Sequence, residues 1–276
     1  MFSSAVTCEM NDASNNHGEL ESTVSTYSVD IETLQQIALK GDAQALFQLA
    51  ISYEQGRGVA ENQQEAFYCY QQAAELGHVT AQLNLGWAYS NGIGAPQDND
   101  KAFYWYRKAA EQGHPTAQFD LGFCYINGLG VEKDENQAIT WYKKAAEAGV
   151  ALSMFNLGIK YEKGKGVAQD RAEAFRWFQK GAEWGDVRSM IKLGVRYAQG
   201  VVVPRDDNEA LHWFQRAFQE SDEQSIKKAA QDGIQLLQNI QQQLRQQQSS
   251  KEESGGRSGF DAAYADMLEK YAYAQK

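Results

Sequence analysis

Residues 78–113 read HVTAQLNLGWAYSNGIGAPQDNDKAFYWYRKAAEQG, and this 36-residue pattern recurs in five consecutive copies without an insertion. Gly41, Gly77, Gly113, Gly149 and Gly185 mark the register. Matched positions then carry matched residue types: Leu49, Leu85, Leu121, Leu157 and Leu193; Tyr53, Tyr89, Tyr125, Tyr161 and Tyr197; Ala66, Ala102, Ala138, Ala174 and Ala210. Trp105, Trp141, Trp177 and Trp213 form a further column, with Cys69 in the first copy. A fixed period of this length signals stacked supersecondary units.

Each copy divides into two helices. Ala81, Leu85, Gly86 and Tyr89 fall on one helical face. The first helix stops at Gly56, Gly92, Gly128, Gly164 or Gly200, since glycine accepts the left-handed conformation of a C-cap. A second glycine follows at 58, 94, 130 and 166, but Val202 replaces it in the fifth copy, which predicts a different loop there. Asn62, Asp98, Asp134, Asp170 and Asp206 are N-caps for the second helix. Glu65, Gln137, Glu173 and Glu209 complete capping boxes in four copies, and Lys101 departs from them. The second helix turns an Ala, a Trp-aromatic pair and an Ala-Ala pair to one side, as in Ala102, Trp105, Tyr106, Ala109 and Ala110. One hairpin cannot bury those rings; stacking on the next hairpin does.

The spacing A-x-x-x-L-G-x-x-Y-x-x-G-x-G followed by D-x-x-x-A-x-x-W-Y-x-K-A-A-E-x-G resembles the Sel1-like repeat, a relative of the tetratricopeptide repeat. The resemblance covers residues 41–220, as copies 41–76, 77–112, 113–148, 149–184 and 185–220. It implies an all-α fold, a right-handed αα superhelical solenoid, and work as an adaptor or scaffold for other proteins.

The flanks read as caps and tails. Residues 28–40 predict an N-capping helix opened by Asp30, and 221–246 a C-capping helix with Ile226, Ala230, Ile234, Leu237, Ile240 and Leu244 on its inner side. Residues 1–27, rich in Ser, Asn, Thr and Glu, read as disordered, and 247–259 as a flexible linker. Phe260, Tyr264, Leu268 and Tyr271 place an amphipathic helix in 260–276, either a frayed tail or a tethered ligand that docks in a groove, its own or a partner's.

A net charge of −10 argues against nucleic acid and anionic membrane as main partners. No run of the sequence reaches the length of an apolar membrane span. The first residues have neither a basic nor an apolar signal region, so the reading is cytoplasmic, with non-Sec export left open. Cys8, Cys69 and Cys124 form neither a disulfide framework nor a CxxC pair. No cofactor, metal cluster or paired nucleophile and base stands out, so the chain does not read as an enzyme. Ser189 and Lys192 do form S-x-x-K, the spacing that matters for β-lactam-binding relatives, but Ser189 occupies the packing position of Ala81 and Ala117 and no K-T-G or S-D-N accompanies it. His78 and His114 read as loop residues at helix termini.

In tetratricopeptide-like folds the first helices line the concave face. The stripe opposite the Leu–Tyr face is polar and changes from copy to copy, which makes Asn84, Asp120, Asn156, Lys160, Arg188, Lys192 and Arg196 the candidate contacts, with Trp87 and Phe123 alongside. The basic C-terminal part suits a partner peptide with an acidic motif or a C-terminal carboxylate. Two other classes stay open: a structural element acting through its convex face or C-terminal helix, and an exported effector or a cell-wall- or β-lactam-binding protein.

Overall fold

The computed structural model describes residues 30–254, and those residues are helices joined by short turns, with no strand among them. The expected segments 1–27 and 260–276 lie outside the described residues. The chain divides after Val150 into two compact units. The N-terminal unit comprises α1 (Ile31–Ala38), α2 (Ala43–Gln55), α3 (Gln63–Glu75), α4 (Val79–Asn91), α5 (Asn99–Glu111), α6 (Pro115–Asn127) and α7 (Glu135–Glu147). The C-terminal unit comprises α8 (Ala151–Lys163), α9 (Arg171–Glu183), α10 (Val187–Gln199), α11 (Asp207–Glu220) and α12 (Gln224–Ser254).

The hairpins form where the capping chemistry puts them. Carboxylate or amide oxygens of Asn62, Asp98, Asp134, Asp170 and Asp206 accept from free N–H groups in the first turn of α3, α5, α7, α9 and α11. The backbone N–H of each same residue donates to the carbonyl of Tyr53, Tyr89, Tyr125, Tyr161 or Tyr197, at 2.9–3.0 Å, which closes every hairpin on its tyrosine. The fifth loop keeps this frame: Gly200 has φ 65° and Asp206 bonds Tyr197 as its counterparts do. The backbone at Val202 differs, because a β-branched residue avoids the positive φ that Gly58, Gly94, Gly130 and Gly166 adopt.

The core is built on one ring per hairpin. Tyr70, Tyr106, Tyr142, Phe178 and Phe214 are buried. From the second copy onward each ring lies flat on a glycine of the first helix of its own hairpin. A Cβ on Gly86 would stand 2.7 Å from the Tyr106 ring, and Gly122, Gly158 and Gly194 meet Tyr142, Phe178 and Phe214 the same way. Neighbouring hairpins lock edge to face: Phe67 on Tyr89 and Phe103 on Tyr125 in the N-terminal unit, Phe175 on Tyr197 in the C-terminal unit.

The tryptophans are not the innermost rings. Trp105, Trp141, Trp177 and Trp213 are only half-buried, with Lys144 and Lys180 lying over Trp141 and Trp177 at 3.9 and 4.6 Å from the ring centroids. The residue after each tryptophan points at the glycine and is fully covered.

Both caps form. Asp30 caps α1, which adds Leu34 and Ala38 to the N-terminal core. On α12, Ala230, Ile234, Leu237 and Ile240 are buried against the fifth hairpin, and Gly233, like Gly194, sits against the Phe214 ring. The helix continues to Ser254 through residues that read as the start of a linker. Gln, Lys and Glu sustain a helix, and no glycine interrupts until Gly255.

Candidate functional site

The predicted contacts sit on the first helices, and each unit solves the same polar problem with different chemistry. In the N-terminal unit the ring column ends in hydroxyls. Tyr70 donates to Glu54 Oε2 at 2.6 Å, and Asn84 of the next first helix lies near the same hydroxyl. Desolvation, with the Glu54 charge beside it, pushes the Tyr70 hydroxyl well above the usual tyrosine range. Asn84 thus stands at the core's polar edge.

One copy on, the same three positions are Tyr106, Ser90 and Asp120. The Tyr106 hydroxyl is buried and approaches Ser90 without reaching hydrogen-bond geometry. The charge of Asp120 acts on that hydroxyl, and so does Cys124. Asp120 keeps a partly exposed surface yet accepts no hydrogen bond, and desolvation pushes its carboxyl up to about 7. Burial first and the Asp120 charge second push the Cys124 thiol up to about 12, so this cysteine is a packing residue rather than a nucleophile. Ala88 and Cys124 are buried, so neither offers a contact on this face. Trp87 is half-buried against the N-terminal core, and Phe123 is partly exposed. Asn91 and Asn127 donate to the Trp87 and Phe123 carbonyls at 2.9 and 3.0 Å, so these asparagines serve their own helix ends.

In the C-terminal unit the ring is Phe178, and no hydroxyl is present to bridge. The flanking positions carry opposite charges instead: Glu162 of α8 takes Lys192 at 3.5 Å and pairs directly with Arg196, both from α10. Desolvation lowers the pKa of both cations from their ordinary values. Arg188 pairs with the N-cap carboxylate of Asp186 at 3.4 Å and lies over the Phe155 ring. Asn156 and Lys160 are partly exposed on α8. The structure therefore brings Lys192 and Arg196 together, as their spacing predicts, and adds Glu162, which the reading of the basic stripe passed over.

Ser189 is fully buried, with Gly181 against it, so its hydroxyl is closed to a substrate. His78 caps α4: its Nδ1 accepts from Ala81 N–H at 3.1 Å, its ring stacks on Phe47, and desolvation lowers its pKa. His114 stands at the N-cap of α6. Among the described residues no group of three metal-ligating side chains comes together, and no helix is long and apolar enough to cross a membrane.

The Sel1 repeat model matches residues 43–78, 79–114, 115–150, 151–186 and 187–222, within two residues of the periods read from the glycines. A Sel1 repeat protein from Oxalobacter formigenes is 32% identical over 70% of this chain and 85% of its own, with a TM-score of 0.63. A protective antigen present in uropathogenic Escherichia coli strains, displaying an SLR fold, is 29% identical, with a TM-score of 0.68. The alignment covers 90% of this chain but only 57% of that antigen. No curated protein matches. With five matched repeats spanning most of its length, this chain belongs to the Sel1 repeat family.

Proposed function

We propose that the chain is an adaptor that holds a partner polypeptide on the face formed by its first helices, the concave groove of the solenoid. Sel1 repeat proteins mediate interactions with other proteins. One observation carries the assignment of the face: the core positions repeat from copy to copy, whereas positions 84, 120, 156 and 192 are partly exposed and read Asn, Asp, Asn and Lys. Packing imposes sameness on the first set and leaves the second free for recognition.

In the C-terminal unit, Lys192 and Arg196 are partly desolvated and share the single carboxylate of Glu162. Lys160 and Arg188 add charge on the same two helices. A surface on which two cations share one carboxylate suits a further carboxylate, from an acidic motif or a chain terminus. The test is an array of synthetic peptides, each made with a free and an amidated C-terminus and with Asp/Glu or Asn/Gln side chains. The parent should prefer the carboxylate-bearing versions, and Lys160→Gln with Arg188→Gln should lose that preference while keeping the helical circular-dichroism spectrum of the parent. Equal capture by parent and variant would move the site to another face of the molecule.

A further inference from the structure

The N-terminal unit carries a polar site of the opposite sign. Its three first helices, AQALFQLAISYEQ, VTAQLNLGWAYSN and PTAQFDLGFCYIN, contain Glu54 and Asp120 and not one Lys or Arg. Glu54 is engaged by the Tyr70 hydroxyl. Asp120 is engaged by nothing: it accepts no hydrogen bond and meets no cation, although it is flanked by a buried hydroxyl, Tyr106, that itself lacks a hydrogen-bonding partner.

We propose that Asp120 is a receptor for a cationic side chain, a lysine ammonium or arginine guanidinium, presented by the polypeptide that binds this face. The argument is one of supply. A partly buried carboxylate without a donor is a standing penalty, because burial removes water that nothing replaces. The equivalent positions show the cheaper solution: Asn84 and Asn156 are neutral amides in the same setting. Asp120 is partly exposed, so a cation from outside can reach it. The proton affinity of Asp120 is raised by desolvation alone, as it would be for a carboxylate whose counter-charge is missing. A guanidinium could bond the carboxylate and leave the Tyr106 hydroxyl a polar neighbour in place of an apolar one.

The inference rests on reading the first-helix face as the binding face, and the experiment separates the two. The probe is a set of peptides carrying Arg or Lys at one position, each paired with its citrulline or acetyl-lysine counterpart, titrated onto the full chain. The parent is expected to favour the cationic member by about tenfold. Asp120→Asn, which installs the residue of positions 84 and 156, should abolish the preference, and it should raise Tm because the uncompensated charge is gone. Peptides that bind with no preference for the cation, or a preference that survives Asp120→Asn, would overturn this inference and leave the groove reading standing. Loss of the preference together with a lowered Tm would also overturn it, since Asp120 would then be a structural residue. Peptides that bind undiminished when Asn84, Asp120 and Asn156 are all changed to Ala would instead break the groove reading itself.

Discussion

At the ring position of the second helix the N-terminal unit carries Tyr70, Tyr106 and Tyr142, and the C-terminal unit carries Phe178 and Phe214. Around that ring the N-terminal unit uses hydroxyls and carboxylates without a cation, while the C-terminal unit uses an ion pair. The comparison shows how a repeat can hold its backbone and its apolar core constant and still change the sign of a surface. The hydroxyl is the hinge of the difference. Where Tyr70 supplies one, Glu54 is satisfied through it. Where Phe178 withholds it, Glu162 and the Lys192–Arg196 pair satisfy each other.

The largest effects should come from the shared part, the rings. Phe178→Ala, which empties a fully buried site against Gly158, should lose about 3–5 kcal/mol in urea unfolding. Trp141→Ala removes a half-buried ring and should lose about 1–2 kcal/mol. A tryptophan loss as large as the phenylalanine loss would contradict the assignment of the glycine-seated ring as the core.

Next come the parts that differ. Glu162→Gln strips the counter-charge from two desolvated cations and should destabilise by about 2 kcal/mol, less than a fully buried pair because these side chains keep some exposure. Glu54→Gln still offers Tyr70 an acceptor and should lose no more than about 1 kcal/mol. Equal losses would erase the distinction between a hydroxyl-bridged unit and an ion-paired one.

Asp120→Asn runs the other way. With the carboxyl pushed up to about 7 in the folded chain and near 4 when unfolded, the folded state holds its proton more tightly. Stability is then lost as pH rises between those values, so the variant should gain about 1–2 kcal/mol at pH 8 and little at pH 4, read by thermal melts across that range.

Much of this was legible in the sequence. A 36-residue period, a glycine stop and an Asp or Asn start place every hairpin, because capping is local chemistry. The choice between adjacent rings was not. Trp105 and Tyr106 share the apolar side of one helix, and only the glycine of the partner helix decides which lies flat and which lies at the margin. The charge balance of the site was also hidden, because the spacing of Lys160, Lys192 and Arg196 shows a cluster of cations but not that Glu162 is the residue of α8 that reaches across to them. Such pairings depend on how two helices register, a tertiary fact with no local signal.

The smallest effect tests a cap. Equivalent N-caps carry the carboxylates of Asp42 and Asp186, but α4 begins at His78, whose Nδ1 accepts only while the ring is neutral. Desolvation lowers its pKa in the folded chain, so the unfolded chain binds the extra proton first. The cap's contribution is complete above the ordinary histidine value of about 6.5 and fades as pH falls below it. His78→Asp should remove this slope, leaving stability between pH 7 and 5.5 flatter than the parent's by less than about 1 kcal/mol, since the ring is only partly buried. A parent and variant that lose stability in parallel over that interval would show that the proton acts elsewhere, and the α4 cap would then be no weaker in acid than the carboxylate cap of α10.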